Sequence, residues 1–142
     1  MKLSKIFLLA LVGLLIFSSC SDGGQAEREA LRDEVMAIHD EVMPKMGDFR
    51  KLQKRIESLS DSLRAMESID TNRLNDLAAR GVEIAAAQEG MMAWMRQYNP
   101  EVMQDGTPHE EVMSYLKDQK AAIEKVRDQM IQALSAGEEA LK

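Results

Sequence analysis

Between Ala26 and Ser68 the apolar residues repeat every seven positions, and this repeat constrains the fold more than any other feature. Val35, Val42, Phe49, Ile56 and Leu63 form one set, and Leu31, Ile38, Leu52, Leu59 and Met66 form a second. The sets interlock in steps of three and four, the spacing of the a and d positions of a coiled coil. Only Lys45 interrupts the seam. The pattern fits one long amphipathic helix, roughly 60 Å if continuous at about 1.5 Å per residue. Pro44 lies inside it, with Gly47 just after. A proline removes a backbone hydrogen bond and crowds the preceding turn. The heptad phase still passes from Val42 to Phe49 without a slip, so a kinked helix is expected rather than two unrelated ones.

Two further helical segments follow. Ile69-Asp70-Thr71-Asn72 is a polar stop-and-start signal. The second helix is expected over about 72–98, ending before Asn99-Pro100, with Leu74, Leu77, Gly81, Ile84, Gln88, Met91, Met95 and Tyr98 inward. Small residues crowd its middle (Ala78, Ala79, Gly81, Ala85, Ala86, Ala87) and favour close approach of helix axes. The third helix, about 108–136, opens on Thr107-Pro108-His109-Glu110, which reads as a capping box with Thr107 as N-cap. Val112, Leu116, Gln119, Ile123, Val126, Met130 and Ala133 continue the three-four alternation, and fraying is expected near Ala136-Gly137. No segment alternates like a strand, and 4% aromatic content argues against a β-sandwich or barrel. The expected fold is all-α: an elongated, antiparallel, coiled-coil-like three-helix bundle. Its long first helix is kinked near Pro44 and its N-terminal arm extends past the other two. The same heptads would also satisfy a dimer built on the first helix.

The N-terminus carries an address. Lys2 and Lys5 precede an apolar run from Ile6 to Phe17. That run is shorter than the roughly 20 residues a membrane span needs, and it suits a signal-peptide core. Ser18, Ser19 and Cys20 follow. Ile16-Phe17-Ser18-Ser19-Cys20 resembles a bacterial lipobox, with Phe17 in place of the usual leucine. The resemblance implies that residues 1–19 are a lipoprotein signal peptide and that Cys20 becomes the lipidated first residue. Residues 20–25 then form a flexible tether, and 26–142 the helical bundle. The alternative is an ordinary thiol after a conventional signal peptide. Ser21, where enterobacterial sorting would read aspartate, favours the outer membrane by the same resemblance. Cys20 is the single cysteine, which rules out a disulfide framework and multi-cysteine metal sites. The net charge of −6 becomes −8 once Lys2 and Lys5 are removed. That sign argues against nucleic acid and against anionic membrane surfaces, so the lipid must do the anchoring. A cell-envelope position follows, periplasmic or surface-facing.

The chain has eleven methionines. Folding the helices back antiparallel places eight of the ten mature ones (Met36, Met43, Met46, Met91, Met92, Met95, Met103, Met113) at one end, with His39 and His109. Met36, His39, Met43 and Met46 step by three, four and three along one flank of the seam. Three readings stand. Methionine fills irregular gaps near a kink. An apolar surface over Met36, Met43, Met91 and Trp94 meets a partner. Or thioethers and imidazole of Met36, His39, Met43 and Met46, joined by Met92 or Met95, bind Cu(I) or Ag(I). The Met-x-x-Met pairs Met43/Met46 and Met92/Met95 are similar to motifs of periplasmic copper-binding proteins. No serine–histidine–aspartate set, glycine-rich phosphate loop or His-Glu-x-x-His is present, so an enzyme is not expected, nor any cofactor beyond the Cu(I) alternative. His39-Asp40-Glu41 lies on a helix and is expected to be a solvated face.

The stretches Glu34 to Met46, Gly90 to Met95 and Tyr115 to Lys120 resemble a group of short uncharacterised lipoproteins of Bacteroidetes-type bacteria. These often carry the label "viral A-type inclusion protein", which reflects generic coiled-coil similarity. The resemblance implies a helical lipoprotein and supplies no substrate. A non-enzymatic module that binds a protein partner, self-associates or has a structural role is the first functional expectation. A Cu(I)/Ag(I)-binding lipoprotein and a small envelope chaperone are the alternatives. The chain lacks the Leu-Thr-x-x-Gln repeats of the latter.

Overall fold

A computed structural model describes residues 22–142. The expected signal peptide, Cys20 and Ser21 lie outside the described residues. Four α-helices occur in chain order: α1 (Asp22–Val42), α2 (Met46–Arg64), α3 (Thr71–Gln97) and α4 (His109–Glu139). A 3₁₀ turn, Met43–Lys45, joins α1 to α2, and a second, Pro100–Met103, lies between α3 and α4. No strand occurs among the described residues. The chain is an all-α bundle in which α1 and α2 together make the first arm.

Pro44 explains the join. Its missing N–H breaks the regular helical ladder, and the backbone tightens for one turn, with the Met46 N–H reaching back to the Met43 carbonyl. The seam survives: Val35, Val42 and Phe49 are fully buried and Ile56 nearly so. The branched aliphatic and aromatic groups on either side of the turn thus share one core, and the kink costs no burial. The seam ends early, however. Leu59 and Leu63 are half-buried, while Met66 is exposed and α2 stops at Arg64. The arm also starts earlier than expected, because residues 22–25 are helical. Gln25 bonds Glu29 at 2.9 Å and the Arg28 side chain bonds the Gly24 carbonyl.

With three arms, α1 and α4 run parallel and α3 antiparallel to both. The His109 Nε2 lies 3.4 Å from Glu27, and Lys120 Nζ is 2.6 Å from Glu34. So α4 covers the N-terminal part of α1, and the first arm does not project past both partners. It passes only α3. Both contacts are solvent-exposed and mark register more than they add stability. Along its length α1 lies against α4, whereas α2 lies mainly against α3.

The close approach of helices falls elsewhere than the alanine run. Ala78, Ala79, Ala85 and Ala86 are exposed, and only Ala87 is buried. The tight contact is at Gly137 of α4, where a Cβ would meet Leu52 Cδ2 at 2.6 Å and Ile84 Cδ1 at 3.2 Å. Leu52 and Ile84 are core residues of α2 and α3. All three arms therefore meet over a missing side chain, and α4 continues through this point to Glu139 instead of fraying. Arg73, in the first turn of α3, donates to the Ala140 carbonyl and fastens the same end.

Helix starts differ in kind. Within the expected polar stop-and-start signal, Asp70 is the residue that caps α3, accepting from the Arg73 N–H at 3.0 Å. The expected Thr107 box does not form. Pro108, at φ −54° and ψ 138°, is the N-cap, and no side chain caps it. The Thr107 N–H instead closes a turn on the Gln104 carbonyl, and Gly106 takes a left-handed φ of 98° to make that turn. Glu110 and Glu111 still place negative charge at the helix start.

Four outcomes follow, all read by urea unfolding. Gly137→Val should lower stability by about 1–3 kcal/mol through overpacking against Leu52 and Ile84. Gly81→Ala, which meets nothing within 4 Å, should raise it by about 0.5–1 kcal/mol. Asp70→Ala should cost about 1 kcal/mol, while Thr107→Ala should change stability by less than about 0.5 kcal/mol.

Candidate functional site

The site begins where the arms separate. Near the Met43–Lys45 turn, the first arm passes from its contact with α4 to its contact with α3. Here α1 and α3 are bridged by long side chains rather than by close backbone approach. Methionine suits this role because it is unbranched and fills irregular gaps.

Four rings form a row across the junction. The His39 and Trp94 rings are 5.7 Å apart, Trp94 and Tyr98 are 5.2 Å apart, and Tyr98 and Tyr115 are 6.1 Å apart. All three pairs are tilted at 32–42°, at the separations aromatic pairs favour. The row ties α1 to α3 and α3 to α4. Tyr115 Oη also accepts a hydrogen bond from the Asn99 N–H at 2.6 Å, holding the end of α3. Trp94 is 6% exposed, and neither its Nε1 nor Tyr98 Oη has a hydrogen-bond partner among the described residues.

His39 is held from one side. Its Nδ1 lies 2.9 Å from Asp40 Oδ1, and its side chain is 16% exposed. A carboxylate on Nδ1 favours the tautomer that leaves Nε2 with its lone pair free. Asp40 itself is exposed. The pair is therefore an oriented imidazole at a buried junction, not the wholly solvated face expected from its place on a helix.

The His39–Trp94 contact also sets the register of the first arm against α3. At about 1.5 Å per residue, Met95 falls level with His39, and Met43 falls level with Met91. Met91 is fully buried, Met43, Met46 and Met95 are half-buried against the core, and Met92 is 40% exposed. Met36 is half-buried one turn before His39. Of the surface expected over Met36, Met43, Met91 and Trp94, the last two are enclosed, and only Met36 and Met43 reach solvent.

Several expected members lie apart. His109 sits beside Gly24 and Glu27, twelve residues from His39 along α1, or roughly 18 Å. Met113 is buried, but the Tyr98–Tyr115 contact places it beyond the end of α3 rather than level with Trp94. Among the described residues, no group of three or more His, Cys, Asp and Glu gathers as for a metal ion. Tyr98, Tyr115 and Asp40 complete the site. The i, i+4 spacing of Trp94 and Tyr98 was the available signal for the ring row.

Electrostatics at the row centre on Tyr98. Burial raises its phenol above the ordinary tyrosine range, neighbouring Tyr115 adds to the rise, and Arg32 opposes it. Arg32 is itself held charged by its hydrogen bond to Asp33. Compared with protein-family models, curated proteins and solved structures, the chain matches none.

The raised phenol fixes a sign. The folded state holds the Tyr98 proton more tightly, so its contribution to stability is complete below about pH 10 and is lost as pH rises through the raised folded value. Tyr98→Phe should make unfolding less sensitive to alkali above about pH 10, measured as the shift of the urea midpoint. At pH 7 it should cost little, because it removes a hydroxyl without a protein partner.

Proposed function

We propose that this chain is a lipid-anchored helical module of the cell envelope, held at the outer membrane, that binds a partner or holds a structural position rather than catalysing a reaction. The observation carrying this reading is the position of Cys20. The only cysteine of the chain ends the apolar run Ile6 to Phe17 and its two serines, and α1 begins at Asp22. An acyl chain on that residue would hold the bundle at a membrane by its N-terminal end. No helix among the described residues is long and apolar enough to cross a membrane, so attachment would fall to the lipid. The resemblance to short helical lipoproteins points the same way. Partner contact is assigned to the flank of the first arm, where Met36 and Met43 are accessible beside His39. Met91 and Trp94 form the floor beneath them.

Expression of the full chain tests the anchor. Labelled palmitate should enter the wild-type protein, which should sediment with membranes. Cys20→Ser should abolish the label and move the protein to the soluble fraction. Unchanged sedimentation of the variant would overturn the anchor.

A further inference from the structure

We propose that His39, Met43 and Met95 bind one soft monovalent metal ion, Cu(I) or Ag(I), against the indole of Trp94. Four observations carry the assignment, and none depends on the membrane anchor.

The first is the state of the imidazole. Asp40 occupies Nδ1 of His39 at 2.9 Å, and Nε2 makes no hydrogen bond among the described residues. A histidine whose second nitrogen is fixed by a carboxylate is the arrangement metal-binding histidines adopt, because it sets the tautomer and the ring plane. The second is the donor set. The neighbouring side chains are thioethers: Met43 lies one turn on from His39 along the same stripe, about 6 Å further along the arm, and Met95 is level with His39 across the gap, both half-buried against the core. Thioether and imidazole select Cu(I) and its analogue Ag(I) over hard cations. The third is the ring wall. Trp94 lies 5.7 Å from His39, so a cation on Nε2 would stand within reach of the indole face, which attracts positive charge. The fourth is enclosure. His39 is 16% exposed and Trp94 6%, so the ion would sit near the surface yet shielded from water on its protein side.

Other candidates fall away, although Met36, half-buried three residues before His39, stays on the same stripe. Met46 is seven residues from His39, roughly 10 Å along the arm. Met92 is exposed, and Met91 is part of the closed core.

The site contains the only tryptophan of the chain, which supplies the readout. The full chain carrying Cys20→Ser, so that its one thiol does not compete, is titrated with silver nitrate while Trp94 emission is followed. The expected result is a saturable change complete at one equivalent. Leucine replaces methionine with little change of volume, so Met43→Leu with Met95→Leu should keep the fold and weaken binding at least tenfold. Met92→Leu should leave it unchanged. No saturable change in emission, or equal affinity in the double variant, would overturn the proposal. If the double variant does not fold, methyl resonances of the Cys20→Ser chain decide. Silver should shift the ε-methyls of Met43 and Met95 and leave that of Met92 in place, and the reverse pattern would overturn the site.

Discussion

The bundle depends on one column of side chains that runs past a proline. Val35, Val42, Phe49 and Ile56 lie on two helices separated by a 3₁₀ turn, yet all four are in the same core. Burying each such side chain is worth about 1.5–3 kcal/mol. The column therefore outweighs the loss of the one backbone hydrogen bond that Pro44 cannot donate. Had the turn rotated Phe49 off the seam, the first arm would have become two independent helices. Because it does not, α3 and α4 find one continuous apolar strip to close on.

The turn still changes the arm, and the site is the result. The first arm follows α4 before it and α3 after it. In the middle, the backbones of α1 and α3 stand apart, and the space is filled by side chains rather than by helix contact. The ring row His39–Trp94–Tyr98–Tyr115 holds that region together, while Gly137, Leu52 and Ile84 close the other end. One junction is tight and built on a missing Cβ. The other is loose and built on long, polarisable groups. The chemistry proposed for the chain lies at the loose one, where side chains have room to rearrange.

Much of the fold was legible because heptads report burial directly. The column from Val35 to Ile56 and the three-arm count can be read from spacing, and the polar stretch at 69–72 marks the break between the first two arms. What the spacing hid has physical causes. The alanines of α3 read as a contact stripe, but small residues are equally at home in water, and theirs is mostly the outer face. Gly137 read as a helix end because glycine ends helices more often than it joins them. Only the bulk of Leu52 and Ile84 shows otherwise. Thr107 read as a cap, but Pro108 takes an extended ψ and moves the start by one residue. For the site, the stripe Met36–His39–Met43 was visible. Its partners depended on antiparallel register, and a shift of a few residues separates Met113 and His109 from Trp94.

An odd number of arms has a mechanical consequence. Among the described residues, the start of α1 near Gly24 lies beside His109, and the end of α4 at Glu139 lies at the opposite end of the rod. A pull between the two ends loads α1 and α2 against α4 along a common axis. The contacts along that line would carry the load together, as in shear, instead of opening one after another as in a zipper. A hairpin with both ends on the same side would peel from its termini. A load along the rod would therefore meet its helix contacts in shear.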